Sequence, residues 1–76
     1  MPTVLRKDGF AVMIYTQDHL PAHVHIWRAG GEIIINIALL EIIQVEGMSR
    51  RDSAKAVEIV EANREYLLER WHEIHG

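Results

Sequence analysis

The sequence predicts an α+β domain in which an antiparallel sheet of four or five strands, connected mostly by β-hairpins, precedes one long C-terminal helix. Three observations support this prediction. Residues 3–46 have the apolar pattern of strands, glycine-containing turn signals separate the segments of that region, and residues 49–75 follow a helical period. Because the chain has 76 residues, it has room for a single domain, residues 1–76.

The first predicted hairpin lies at the N-terminus. Residues 3–6 form a short strand, and the Asp-Gly pair at residues 8–9 is typical of hairpin turns. Residues 10–15 form the returning strand, rich in aromatic and β-branched side chains. Residues 16–22 follow as a loop, because Pro21 biases the residue before it toward an extended backbone.

A second predicted hairpin follows the loop. Residues 23–28 alternate as a strand, residues 29–31 are a glycine-rich turn, and residues 32–37 form a strongly β-branched strand. Residues 38–46 fit two interpretations. They form either a bend and a fifth strand over residues 41–45 or a short helical turn.

The C-terminal segment has the signals of a helix. Ser49 is a suitable N-cap, and Asp52 favours the positive end of the helix dipole. Arg64 interrupts the apolar stripe, and a helix over residues 50–75 would be roughly 39 Å long, which exceeds the width of the sheet. The helix therefore either breaks near Asn63 or projects and packs on something else. The stripe consists of Val57, Val60, Leu67, Leu68, Trp71 and Ile74.

The predicted sheet is apolar on both faces. Residues 10–15 and 32–37 carry apolar side chains at positions that point in opposite directions. One helix covers only one face of a sheet, and an apolar second face needs a partner. We therefore expect a homodimer or a heteromer with a small partner protein.

Composition and charge narrow the function classes. Hydrophobic residues make up 49% of the chain and charged residues 25%, which is typical of a globular protein and not of a disordered one. The chain has no cysteine, which excludes disulfides and Cys-based zinc fingers. The net charge of −3 does not support nucleic acid as a general ligand, since that binding needs a basic face.

The sequence also has no strong targeting or membrane signal. The longest apolar run, residues 33–43, is interrupted by polar residues and is too short to span a bilayer. No basic segment followed by an apolar one opens the chain, so secretion is not indicated. We therefore expect a cytoplasmic protein of bacterial type without membrane contact.

The most unusual stretch is residues 18–28, which contains three of the five histidines. A period of two places His23 and His25 on one face of a strand, with their Cα atoms about 6.6 Å apart. Two imidazoles at that spacing can bind one metal ion, bind one phosphate, or act as a general acid and base. His19 is the candidate third member. A solvated strand without function and a pH-sensitive interface stay open as alternatives.

Asp18, Trp27 and Arg28 are further candidate binding residues. Trp27 could stack on a base and Arg28 could pair with a phosphate. The two side chains point to opposite faces of the strand, however, and packing of Trp27 across the sheet is the competing interpretation. His72 and His75 near the end of the helix are either half of a metal site or cations that face the negative end of the helix dipole.

Several of these segments together resemble a known family. They are residues 1–4, 8–9, 18–25, 31–32 and 61–65, with Leu68 and Trp71. This pattern, which covers nearly the whole chain, is similar to the small bacterial family catalogued as domain of unknown function 4160. The family has no established activity, and the resemblance implies a component of a two-protein module of the toxin–antitoxin type. His19, His23, His25, Asp18 and Trp71 match the family's pattern, and Ala22 stands where a second proline is frequent.

We therefore expect a small cytoplasmic interaction module of the toxin–antitoxin type that acts without a cofactor, with His19, His23 and His25 as its functional surface. Whether the protein is an enzyme stays open. If it is one, a histidine pair is suited to RNA phosphodiester cleavage. The first alternative is a metal-binding module in which the same three histidines hold zinc or a similar divalent metal. The second is a structural or regulatory binding protein without chemistry.

Overall fold

The computed structural model describes residues 2–76, so Met1 lies outside the described residues. Five strands form one antiparallel sheet in the order β1-β2-β3-β4-β5, and two helices follow them. The predicted α+β architecture is confirmed, and residues 38–46 contain a fifth strand. The strands are β1 (Thr3–Lys7), β2 (Phe10–Met13), β3 (His23–Arg28), β4 (Gly31–Asn36) and β5 (Ile42–Glu46), and the helices are α1 (Arg50–Ala62) and α2 (Arg64–His75).

Two tight turns set the register of the sheet. Asp8 and Gly9 have φ angles of 50° and 83°, and Ala29 and Gly30 have φ angles of 49° and 82°. Two consecutive residues with positive φ are typical of the turn whose twist matches antiparallel strands. Gly31 begins β4, and a Cβ atom there would collide with the backbone of Gly47. The glycines of residues 29–31 therefore serve both a turn and a close backbone approach.

The core lies between one face of the sheet and the two helices. The alternate side chains of the central strands that point toward the helices are fully buried, as the strand period predicts. The helices contribute the apolar stripe identified in the sequence. The largest contributors are Val12, Ile14, Val24, Ile26, Ile33, Ile35 and Ile37 from the sheet side and Val60, Leu67 and Trp71 from the helices.

The prediction of one long C-terminal helix is wrong, because α1 and α2 are separate. Asn63, with φ −120° and ψ 20°, lies between them, and its side-chain amide donates to the Ile59 carbonyl at 2.8 Å. Arg64 donates to the carbonyls of Ile37 and Ala38 at 3.3 and 2.6 Å. Arg64 interrupts the apolar stripe because it ties the start of α2 to the turn after β4. Of the two alternatives given for the long helix, the structure shows the break near Asn63.

Replacing Ser49 by alanine is expected to destabilise the protein by about 1 kcal/mol. The Ser49 hydroxyl accepts a hydrogen bond from the Asp52 backbone N–H at 3.0 Å, and alanine leaves that N–H without this partner. The melting temperature measured by circular dichroism should fall by about 4–8 °C. Ser49→Thr, which keeps the hydroxyl, is the matched control. An unchanged melting temperature in Ser49→Ala would show that the cap contributes nothing.

Candidate functional site

Three side chains converge at the end of the sheet near α2. His23 and His25 lie on the same face of β3, as the strand period predicts, and Asp18 approaches them from the loop after β2. The Asp18 backbone N–H donates to the Tyr15 carbonyl at 3.1 Å, while its Oδ2 accepts the Tyr15 N–H at 3.0 Å. This reciprocal pair fixes the loop and turns the other carboxylate oxygen, Oδ1, toward the histidines.

The distances within this cluster of Asp18, His23 and His25 are short. Asp18 Oδ1 lies 3.5 Å from His23 Nε2 and 3.2 Å from His25 Nε2. The three candidate ligand atoms all lie within 4.8 Å of one another. The side chains are 11–15% exposed, so the cluster is largely shielded from water and still reachable from it.

In each histidine, the hydrogen bond made by Nδ1 determines whether Nε2 carries a proton or a lone pair. His23 Nδ1 lies 2.8 Å from the Pro21 carbonyl oxygen, and His25 Nδ1 lies 3.1 Å from Glu32 Oε2. The Pro21 carbonyl oxygen and the ionised Glu32 carboxylate can only accept hydrogen bonds. Each Nδ1 therefore carries a proton and donates it. In a neutral ring the Nε2 atom then carries a free lone pair, and both Nε2 atoms face Asp18 Oδ1.

Three lone pairs that converge require a positive charge between them. That charge is supplied either by protons on the two rings or by a metal ion. With neutral rings, the carboxylates of Asp18 and Glu32 give the site two negative charges, which one divalent cation balances. A divalent cation at the centre of the cluster is therefore one of two ways to satisfy its three acceptor atoms.

Two interatomic distances within the cluster match those of a zinc site. Two ligand atoms bound at about 2.0–2.1 Å to a tetrahedral zinc ion are separated by about 3.3–3.4 Å. The observed oxygen–nitrogen separations of 3.2 and 3.5 Å bracket that value. Metal-binding histidines usually donate their other N–H to a carbonyl or carboxylate, as both rings do here. Two imidazoles and one carboxylate are found in mononuclear zinc sites and in ferrous-iron sites.

Aromatic side chains hold the two rings in place. The Tyr15 ring meets His25 edge-on, with centroids 4.7 Å apart, and Trp71 lies 5.4 Å from His23. Because packing restricts the rotamers of both histidines, the ligand atoms are preorganised. A shallow pocket of about 370 Å³ adjoins Asp18 and gives an approach from solvent. Its other lining residues are His19, Leu20, Trp71, His72, His75 and Gly76.

The remaining predicted histidines lie around the cluster. His19 is exposed, with its ring centroid 6.2 Å from that of His23 and its Nδ1 3.0 Å from the Leu20 carbonyl. His19 therefore lies next to the cluster but is not one of its three converging side chains. His75 bonds to the carbonyls of Trp71 and Tyr15 at 3.1 and 3.0 Å and anchors the end of α2. That position agrees with the helix-terminus interpretation of His75.

The structure separates Trp27 and Arg28, as their alternation predicts. Trp27 is 38% exposed on the face that carries His25. Arg28 donates to the Asp8 carbonyl at 2.6 Å, lies 3.4 Å from Asp52 and sits 4.9 Å from the centre of the Phe10 ring. Arg28 therefore connects the first hairpin to α1, and these contacts give it a structural role.

Glu32 also contacts the candidate site, and it was not among the residues predicted from the sequence. It lies on β4 opposite Trp27, and its carboxylate reaches back to His25. The turn at residues 29–30 indicates the position of Glu32 from the sequence alone. A two-residue hairpin there pairs residue 27 with residue 32 and puts Glu32 on the face of the histidines.

Comparison with known proteins gives one match. The family model described as Domain of unknown function (DUF4160) matches residues 9–72. No curated protein and no solved structure matches the chain. The matched segment runs from the first turn to α2, and it contains Asp18, His23, His25 and Glu32.

Proposed function

The chain belongs to the DUF4160 family, and from the site within the matched segment we propose that it is a metal-binding module in which Asp18, His23 and His25 hold one divalent transition-metal ion. One observation carries the proposal. Three acceptor atoms converge while the opposite nitrogen of each ring already donates a hydrogen bond. A metal ion bound between them would accept electron pairs from all three atoms.

Zinc is the first ion to consider, and ferrous iron is the second. Zinc accepts imidazole and carboxylate ligands in tetrahedral geometry, and three protein ligands leave one position open. The same donor set holds ferrous iron in other proteins. Asp18 lines the pocket beside the cluster, and an ion held by Asp18, His23 and His25 would be able to polarise a water molecule or an anion that enters there.

Titration of the untagged protein with ZnCl₂ tests the proposal. We expect one zinc per chain, and we expect Asp18→Asn, His23→Gln and His25→Gln each to weaken binding more than about 100-fold, since loss of an outer partner alone costs about 10–100-fold. His19→Gln and His72→Gln are the matched controls and should bind zinc like the wild type. A parallel anaerobic titration with Fe²⁺ identifies the preferred ion. Absence of binding by the folded wild type, or equal losses in the His19 and His23 variants, would contradict the proposal.

Replacing Glu32 by glutamine is expected to weaken zinc binding by about 10–100-fold without changing the stoichiometry. The carboxylate of Glu32 orients His25 through the 3.1 Å contact with Nδ1, and an amide accepts this hydrogen bond less strongly. Competition with a chelator measures the affinity. Glu61→Gln, which removes a charge from the exposed surface of α1, is the control. Equal affinities in the Glu32 and Glu61 variants would show that Glu32 has no part in the site.

The other functional expectations stay predictions. They are the toxin–antitoxin-type module, the RNA or phosphate contact, a bacterial origin and the cytoplasmic location. Within residues 2–76, neither helix has the length and apolarity needed to cross a membrane.

A further inference from the structure

One face of the sheet is open, because both helices pack against the other face. The Val24 and Ile26 side chains on β3 point toward the helices and are fully buried. The next side chain, Trp27, points the other way and is 38% exposed. Residues paired on neighbouring strands point to the same side of a sheet, so the register identifies the other side chains of this open face.

A row of five paired residues crosses the open face through Trp27. Each member is the direct partner of the next, from β1 to β5, and both register shifts of the sheet lie outside the row. The row is basic at one end, apolar in the middle and acidic at the other end. Its members, in order, are Arg6, Ala11, Trp27, Glu32 and Glu46.

The charges at the two ends of this row have no opposite charge to pair with inside the described chain. Arg6 and Glu46 are both exposed, and neither takes part in a salt bridge among residues 2–76. The Gln44 amide donates to the Glu46 carboxylate at 2.6 Å, as expected for two side chains on the same face of β5. Arg6 and Glu46 lie equally far from Trp27, two strands or about 10 Å on either side.

A second row beside the first is apolar on both sides of its centre. His25 is the β3 member of this row, and its direct partners are Met13 on β2 and Ile34 on β4. Both partners are half-buried. Met13 and Ile34 therefore lie one strand from β3 on opposite sides, just as the two charged ends of the first row lie two strands from it.

From these two rows we infer that the open face packs against the open face of a second copy of the chain. A two-fold axis that runs parallel to β3 over Trp27 reverses the order of the strands, so β1 of each copy lies over β5 of the other. Arg6 of each copy then faces Glu46 of the other, and the two Trp27 side chains meet at the axis. Met13 of each copy faces Ile34 of the other.

Charge and size select this arrangement over the other two-fold packing of the same faces. An axis at right angles to the strands would lay each strand over its own counterpart. It would bring Arg6 toward Arg6 and Glu46 toward Glu46, and like charges that face each other are destabilising. With the axis parallel to the strands, Glu32 instead lies over Ala11, whose small side chain leaves room for the carboxylate. The face is therefore complementary to itself, and two rows on five strands make a contact of the weak, reversible size class.

Sedimentation velocity of the untagged wild type from about 5 to 500 µM tests this inference. We expect the mean mass to rise from monomer to dimer with concentration, and EDTA in the buffer excludes a dimer bridged by metal ions. Arg6→Glu turns two attractive contacts into repulsive ones, so the dissociation constant should rise about tenfold or more. Lys7→Glu is the matched control and should leave the constant unchanged. It makes the same charge change on the same strand, but Lys7 pairs with Phe10 on the side of the helices.

An exchange of the two charges gives a second test. Glu46→Arg should weaken the dimer as Arg6→Glu does. An equimolar mixture of these two variants should form a mixed dimer, because each of its two end contacts then joins one acidic and one basic side chain. Both positions are exposed, so the fold should be kept, and circular dichroism verifies this.

Trp27→Ala removes the side chain at the axis and should also raise the dissociation constant about tenfold or more. A wild type that stays monomeric throughout the range would overturn the inference and leave the open face to a different protein. A dimer that Arg6→Glu and Lys7→Glu weaken equally would place the interface elsewhere. A mixture of the Arg6 and Glu46 variants that does not associate would contradict the proposed direction of the axis.

Discussion

Replacing Trp71 by alanine is expected to lower the free energy of unfolding by about 3–5 kcal/mol. The Trp71 side chain is 2% exposed, stacks on His75 with ring centroids 3.9 Å apart and lies against His23. Alanine leaves a cavity at the point where α2, the sheet and the cluster of Asp18, His23 and His25 meet. A chain of this size has about 4–11 kcal/mol of stability in total, so the variant should be near the limit of folding.

Urea unfolding followed by far-ultraviolet circular dichroism measures this loss. Trp71→Phe keeps an aromatic ring in the core and should lose less than the alanine variant. Trp27→Ala is the matched control, because Trp27 is 38% exposed and its replacement should cost about 1 kcal/mol or less. Equal losses in the two alanine variants would contradict the role of Trp71 as the anchor of α2.

Adding zinc is expected to raise the free energy of unfolding by about 2.7 kcal/mol when free zinc is a hundredfold above the dissociation constant. The three ligands come from the loop after β2 and from β3, and the unfolded chain does not hold them together. The melting temperature should rise by about 11–22 °C. Thermal unfolding with and without zinc, followed by circular dichroism, measures the effect.

Variants and a chelator separate this effect from general salt stabilisation. The zinc-dependent rise should be absent in His25→Gln and present in His19→Gln, and EDTA should reverse it. Magnesium at the same concentration should give no rise, because it prefers oxygen ligands in octahedral geometry. A rise of equal size in His25→Gln would show that zinc stabilises the protein from another site.

The sequence predicted the local elements well and their connections less well. Glycine turns and period-two patterns located the four strands around the two hairpins, since both signals are local. The division of the helix depends on Arg64 reaching Ile37 and Ala38, residues far away in the sequence. The interruption of the apolar stripe at Arg64 showed where the change occurs, but it did not distinguish a break from a projecting helix.

The same distinction applies to the site. The shared face of His23 and His25 followed from alternation along one strand. The arrival of Asp18 Oδ1 between them depends on the folded loop and its bonds to Tyr15, and the contribution of Glu32 depends on the register of β3 with β4. His19 was included because it is close in sequence, whereas the converging atoms belong to Asp18, His23 and His25. Proximity along the chain therefore identified the region of the site, and the folded structure showed which side chains converge in it.

The most direct test of the metal site is a long-range ¹H–¹⁵N correlation spectrum of the histidine side chains, recorded with and without zinc. The proposal predicts that His23 and His25 carry their proton on Nδ1 and that their Nε2 atoms change on addition of one equivalent of zinc. His19, His72 and His75 should keep their spectra. A protonated Nε2 on His23 or His25 in the zinc-treated protein, or zinc-dependent changes confined to the other three histidines, would contradict the proposed site.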